Sequence, residues 1–168
     1  LKYLCPLKPM MYYHNSDDID ILKYSLDNFI ELKRTWGLSF HNEQDNAKIM
    51  FEKHLTLFNN NETNIKPFLI ISDKTEFRTI YNYDDINEFE NTKNSIAYVV
   101  RQCDMGYDKK EIDFVIFSDR KMSYKDIIQC IGRGLRPDKL GLKGTNLEKK
   151  CILLLPLFID DEIKNEYK

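Results

Sequence analysis

Ser123-Tyr124-Lys125-Asp126-Ile127-Ile128-Gln129-Cys130-Ile131-Gly132-Arg133-Gly134-Leu135-Arg136-Pro137 reads as a helix with one packing side and one presenting side. Ser123 and Asp126, three residues apart, have the capping-box pattern, and Pro137 closes the segment. At about 100° per residue, Tyr124, Ile127, Ile128, Ile131 and Leu135 share an arc of roughly 100°. Gln129, Arg133 and Arg136 fall within roughly 60° on the opposite side. Such a face also suits an ordinary solvated surface. Gly132 and Gly134 argue for more, since each costs ~1 kcal/mol against Ala in a helix and is tolerated mainly where something approaches the backbone closely. Arginine adds a planar, permanently charged fork suited to phosphate.

Upstream, Val99-Val100-Arg101-Gln102-Cys103-Asp104-Met105-Gly106-Tyr107-Asp108 has the form of a buried strand running into a Gly-x-Asp loop. Ile112 to Asp119, followed by Ser123, supplies a second strand and turn. Gln129-Cys130-Ile131-Gly132-Arg133-Gly134-Leu135-Arg136 resembles motif VI of the superfamily 2 helicases, Gln-x-x-Gly-Arg-x-x-Arg, in its restriction-enzyme and DNA-repair form, and Val99 to Asp108 resembles motif V. In tandem the two motifs are far more specific than either alone. The resemblance covers residues 96–137 and thins elsewhere. Tyr107 and Met105 depart from the small aliphatic residue and the Glu common in motif V.

The remaining chain gives the fold class. Ser16 with Asp17, Asp18 and Asp20 opens a helix that continues through Ile19, Leu22, Leu26, Phe29, Ile30 and Lys33. Trp36 to Phe40 reads as a buried strand ending in the polar pair His41-Asn42, followed by a helix with Ala47, Met50, Phe51, His54 and Phe58 on one side. That unit resembles motif IV, the start of the second RecA-like domain. Further strands are expected at Phe68 to Ile71, Ile96 to Val100, Phe114 to Phe117 and Cys151 to Leu155, with a short acidic helix over Tyr83 to Asn91 anchored by Ile86 and Phe89. Apolar strands alternating with helices predict an α/β fold, a RecA-like open parallel sheet with helices on both faces. Residues 1–14 form a lead-in segment with no assigned chemistry, and Pro137 to Lys150 is expected to be a mobile basic loop. Leu153-Leu154-Leu155 with Asp160-Asp161-Glu162 imitates a Mg²⁺-binding strand, but Pro156 interrupts it and the chain has no G-x-x-x-x-G-K-[ST] phosphate loop, so the acids read as the first turn of a helix.

Composition limits the alternatives. A chain of 168 residues, 42% hydrophobic, is long enough for one substantial core and is most simply one domain, and its start at Leu1 reads as a piece of a longer protein. The longest apolar run, Cys151 to Ile159, is well short of the ~20 residues of a membrane span, and no signal-peptide pattern is seen. Cys5, Cys103, Cys130 and Cys151 make no C-x-x-C and no zinc pattern with His14, His41 or His54, which argues against a disulfide framework or metal site and makes a reducing, intracellular setting the default. The net charge is −2, yet residues 120–150 hold nine Lys or Arg against three acids, so attraction to a polyanion is local.

The resemblance implies a division of labour. Such motors hydrolyse ATP between two RecA-like domains; the first holds the phosphates and Mg²⁺ and the second, which this chain resembles, supplies arginines. Arg133 and Arg136 are then the catalytic arginines and Gln129 orders water and the domain interface. Gly106, Asp108 and Gly132 contact the nucleotide. Nucleic acid, DNA in preference to RNA by analogy, crosses the strand ends at His41, Asn42, Ser72, Lys74, Thr75, Arg101 and Gln102. Against this motor reading stands an inactive α/β module that binds nucleic acid or protein. The intact Gln129, Arg133, Arg136, Gly106 and Asp108 favour the motor.

Overall fold

Apolar runs of four to eight residues divided by polar turns assemble into one six-stranded sheet. The computed structural model describes residues 7–14, 18–71, 84–100, 112–119 and 151–158. In chain order the described elements are β1 (Leu7–His14), α1 (Asp18–Glu31), β2 (Trp36–His41), α2 (Gln44–Asn59), β3 (Lys66–Ile70), α3 (Asp84–Asn91), β4 (Ser95–Val100), β5 (Phe114–Phe117) and β6 (Cys151–Phe158). The strand order is β1-β6-β5-β2-β4-β3 and every pair is parallel. All carboxyl ends therefore share one edge of the sheet.

Side-chain alternation at period two sorts the core onto two faces. Phe114 and Ile116 of β5, Ile96 and Tyr98 of β4 and Ile152 and Leu154 of β6 pack with Leu22, Leu26 and Phe29 of α1 and Ala47, Met50 and Phe51 of α2. The intervening residues Val115, Phe117, Ala97, Cys151 and Leu153 meet Phe89 of α3 on the other face. Trp36 Nε1 donates to the Phe89 carbonyl at 3.0 Å, which pins α3 beneath β2. The expected RecA-like α/β sheet with helices on both faces is what forms.

Helices α1 and α2 both end in a left-handed residue. Lys33 has φ 53° and its N–H donates to Ile30, while the Arg34 N–H donates to Phe29. Asn61, with φ 58°, repeats the pattern through Asn61 to Phe58 and Glu62 to Leu57. These are Schellman ends built on Lys and Asn in place of Gly. Gly37 has a different reason to be glycine: a Cβ there would lie 2.9 Å from Ile96 Cγ1 and 3.2 Å from the Phe29 ring, where α1 presses against β2.

Three sequence expectations are corrected. The segment at the start of the chain contains β1, which runs alongside β6 from Leu7↔Cys151 to His14↔Phe158. Pro9 disguises it, but β1 is an edge strand, where a missing N–H is tolerated; Pro67 occupies the opposite edge strand β3 for the same reason. Strand β6 continues through Pro156 to Phe158, because its pairing with β5 ends at Leu154 and the proline removes no bond on that side. Ile30, expected on the packing stripe of α1, is 53% exposed, and Ile21 is buried in its place.

Candidate functional site at the carboxyl edge of the sheet

The chain leaves β2 toward β3 on one side and β5 toward β6 on the other, although β2 and β5 are neighbours. Adjacent strands with onward connections running opposite ways define the switch point of an open α/β sheet, the crevice where such sheets bind ligands. At this point β2 is unusual. Its residues on the α1/α2 face are Gly37, Ser39 and His41, a small and polar stripe in an otherwise apolar layer. Beyond the last residue of β5, Phe117, come Ser118 and Asp119.

The parallel pairing Phe40↔Phe117 brings these groups together. Ser118 Oγ lies 3.4 Å from Ser39 Oγ, which lies 2.9 Å from His41 Nε2. His41 Nδ1 is 3.2 Å from Asp119 Oδ1. The second carboxylate oxygen, Oδ2, accepts the Asn42 backbone N–H at 2.6 Å and the Asn46 side-chain amide at 3.3 Å. Asp119 thus ties the end of β5 to the end of β2, to the β2–α2 turn and to the first turn of α2. Burial pushes its carboxyl up, but the hydrogen bond and charge of His41 and the Asn42 and Asn46 donors outweigh this and leave it below its ordinary value.

Contacts running Ser–His–Asp have the order of a hydrolytic triad. Ser39 and His41 are each 1% exposed, so no substrate carbonyl reaches the Ser39 hydroxyl. The network orients and does not attack. The contacts run without a break from Ser118 through Ser39 and His41 to Asp119, with the Ser39 hydroxyl and the Asp119 carboxylate on opposite nitrogens of the imidazole. Asn42 is the exception: among the described residues its Oδ1 is the buried side-chain oxygen left without a hydrogen-bond partner, a state that costs ~1–3 kcal/mol.

A second polar pair lies deeper on the same face. His54 Nε2–H donates to the Ile65 carbonyl at 2.8 Å, which fixes the tautomer, and Nδ1 accepts the Tyr98 hydroxyl at 2.9 Å. Burial lowers His54 to about 4, with the Ile65 bond opposing, and burial pushes the Tyr98 phenol up. Tyr98 lies between the two imidazoles, 5.9 Å from the His41 ring and 5.7 Å from the His54 ring.

Of the residues expected from sequence, Asn42 stands half-buried at the strand ends. His41 stands at the end of β2, buried between Ser39 and Asp119. Ser72, Lys74, Thr75, Arg101, Gln102, Gly106, Asp108, Gln129, Gly132, Arg133 and Arg136 lie outside the described residues, as do the loop 137–150 and the acids 160–162. In chain order they follow β3, β4, β5 and β6. Sequence reasoning missed Ser39, Ser118, Asp119 and Asn46. The available signal was Ser-x-His at period two on a buried strand and a Ser-Asp pair at the end of another.

No protein-family model and no curated protein matches the chain. Solved structures do. Domain 2 of the Mss116p DEAD-box helicase, solved on an RNA duplex, superposes with a TM-score of 0.61 at 12% identity over 96% of this chain and 67% of that one. A fragment of a putative type I restriction enzyme HsdR subunit from Vibrio vulnificus gives 0.59 at 14% identity, over 96% of this chain and 38% of that one. The Hef helicase domain of Pyrococcus furiosus gives 0.53 at 16% identity, over 89% and 27%. The chain shares the RecA-like α/β fold of these helicase domains. It spans only about a quarter of the Hef chain and well under half of the HsdR fragment. Among the described residues no helix is long and apolar enough to cross a membrane, and no group of three His, Cys, Asp or Glu is placed to hold a metal ion.

Proposed function

We propose that this chain is the C-terminal motor domain of an ATP-dependent superfamily 2 helicase or translocase acting on nucleic acid, DNA in preference to RNA. The observation that carries the reading is the coincidence of that fold with a motif VI sequence, Gln129 to Arg136, in the connection from β5 to β6, the strand pair leading away from the switch point. In this reading Arg133 and Arg136 meet the γ-phosphate of an ATP held chiefly by a first RecA-like domain and stabilise charge developing in the transition state. Gln129 orders the attacking water. Gly106, Asp108 and Gly132 face the nucleotide, and Mg²⁺ is held by the first domain. Nucleic acid crosses the carboxyl edge at Asn42, Ser72, Lys74, Thr75, Arg101 and Gln102, contacting backbone and not base edges.

The test is Arg133→Ala and Arg136→Ala, made separately in the full-length protein, with ATP turnover and melting temperature measured on the same samples. Each is expected to lower kcat by ~10²-fold or more while the melting temperature stays within a few degrees. Near-normal turnover in both mutants removes the two arginines from catalysis and with them the motif VI assignment, whereas no turnover in the unmodified protein returns the reading to an inactive binding module.

A further inference from the structure

We propose that Asp119 is a positioning residue for the nucleic-acid-contacting turn between β2 and α2, holding Asn42 and the start of α2 in their binding position from the end of β5. The proposal rests on the motor reading above and goes beyond it, since Asp119 belongs to none of the motifs that carry that reading.

Three observations converge on it. Asp119 Oδ2 receives the Asn42 N–H and the Asn46 amide, so one carboxylate oxygen fixes both the turn and the first turn of the following helix. Asp119 Oδ1 faces His41, whose other nitrogen is engaged by Ser39, so the carboxylate is braced from the sheet side. Among the described residues the Asn42 side-chain oxygen has no partner, so within them it is the Asp119 clamp that sets the turn. Asp119 itself is 12% exposed, and its oxygens are spent within the fold. It is therefore not a group that meets the polyanion.

The sign of the effect separates positioning from electrostatics. Removing a negative charge beside a bound polyanion strengthens binding. Loss of a clamp weakens binding, because the turn must then be ordered each time ligand binds. Glu43 in the turn and Asp45 in the first turn of α2, both exposed, provide the contrast: among the described residues Asp45 reaches Lys48, at 3.9 Å, and no group of the β2–α2 turn.

The experiment uses the full-length protein, poly(dT) as the nucleic acid, and ATP turnover against poly(dT) concentration for Asp119→Ala, Asp119→Asn and Asp45→Ala. Asp119→Ala is expected to raise the half-saturating poly(dT) concentration about tenfold, with kcat at saturation kept within about twofold. Asp119→Asn retains an oxygen for the Asn42 N–H and is expected to fall between Asp119→Ala and the unmodified protein. Asp45→Ala is expected to lower the half-saturating concentration or leave it unchanged. An unchanged or lowered half-saturation in Asp119→Ala, or a kcat that falls at every poly(dT) concentration, overturns the proposal alone. Absence of poly(dT)-stimulated turnover in the unmodified protein overturns the motor reading, and this proposal with it.

Discussion

Strand β5 is bracketed by two aspartates, Asp113 just ahead of Phe114 and Asp119 two residues past Phe117, and each reaches across to the near end of β2. At the amino end, Asp113 accepts the Thr35 N–H on both oxygens at 3.1 Å and the Trp36 N–H at 3.1 Å. Its own N–H donates to Trp36 and its carbonyl accepts from Ile152, while the Thr35 carbonyl accepts from Asn94 and Ser95. Carboxylate and backbone together satisfy backbone there, and the arrangement fixes the register of four strands. At the carboxyl end the same kind of carboxylate takes one backbone N–H, one side-chain amide and an imidazole backed by two serines. One parallel pair thus carries a closed structural clasp at one end and, at the other, a side-chain relay beside an Asn42 oxygen that has no partner among the described residues. The contrast follows from the direction of the strands: ligands meet parallel sheets at their carboxyl ends, so the amino ends are free to be optimised for stability.

The largest loss of stability is expected from Asp113→Ala. It strands the Thr35 and Trp36 N–H groups at the edge of the core, which costs about 3 kcal/mol, or a melting-temperature fall of roughly 6–12 °C by calorimetry. A change under about 1 kcal/mol would break the comparison by showing that the amino end does not depend on its clasp. Gly37→Ala sharpens the comparison by loading the middle of β2. With Ile96 Cγ1 at 2.9 Å and Phe29 and Phe114 close behind, overpacking is expected to cost ~1–3 kcal/mol in denaturant unfolding.

Acid separates two parts of the polar face. His54 titrates near 4 in the folded protein and near 6.5 unfolded, so the unfolded chain binds the additional proton as pH falls from about 6.5 to 4. Stability is present above that window and is lost across it, by up to about 3 kcal/mol. Asp119 has a depressed folded value, so its contribution is present above the ordinary carboxylate range and is lost only in stronger acid. His54→Gln, which can still donate to Ile65 and accept from Tyr98, is expected to flatten the melting-temperature slope between pH 6.5 and 4. An unchanged slope would remove His54 as its cause.

What the sequence revealed and what it hid divides along the same line. Strands β2 to β6 announce themselves as apolar runs, and the β2–turn–α2 unit is legible because its pattern is local. Strand β1 is hidden by Pro9, since whether a proline is tolerated depends on the strand's place in the sheet, which no local pattern records. Asn42 and His41 could be picked out as polar residues after an apolar strand. Their partner Asp119 could not, because 77 residues separate it from Asn42 and they meet only through the pairing of β2 with β5. The arginine motif is the reverse case, fully legible in sequence but outside the described residues.

The most direct test of the account is Asp113→Ala against Asp119→Ala in one set of full-length samples, with melting temperature and half-saturating poly(dT) read for both. The account predicts a crossed result. Asp113→Ala takes the larger fall in melting temperature and keeps its half-saturation, while Asp119→Ala takes the smaller fall and shifts half-saturation about tenfold. Two mutants that melt lower by similar amounts, with neither shifting poly(dT) dependence, would contradict it.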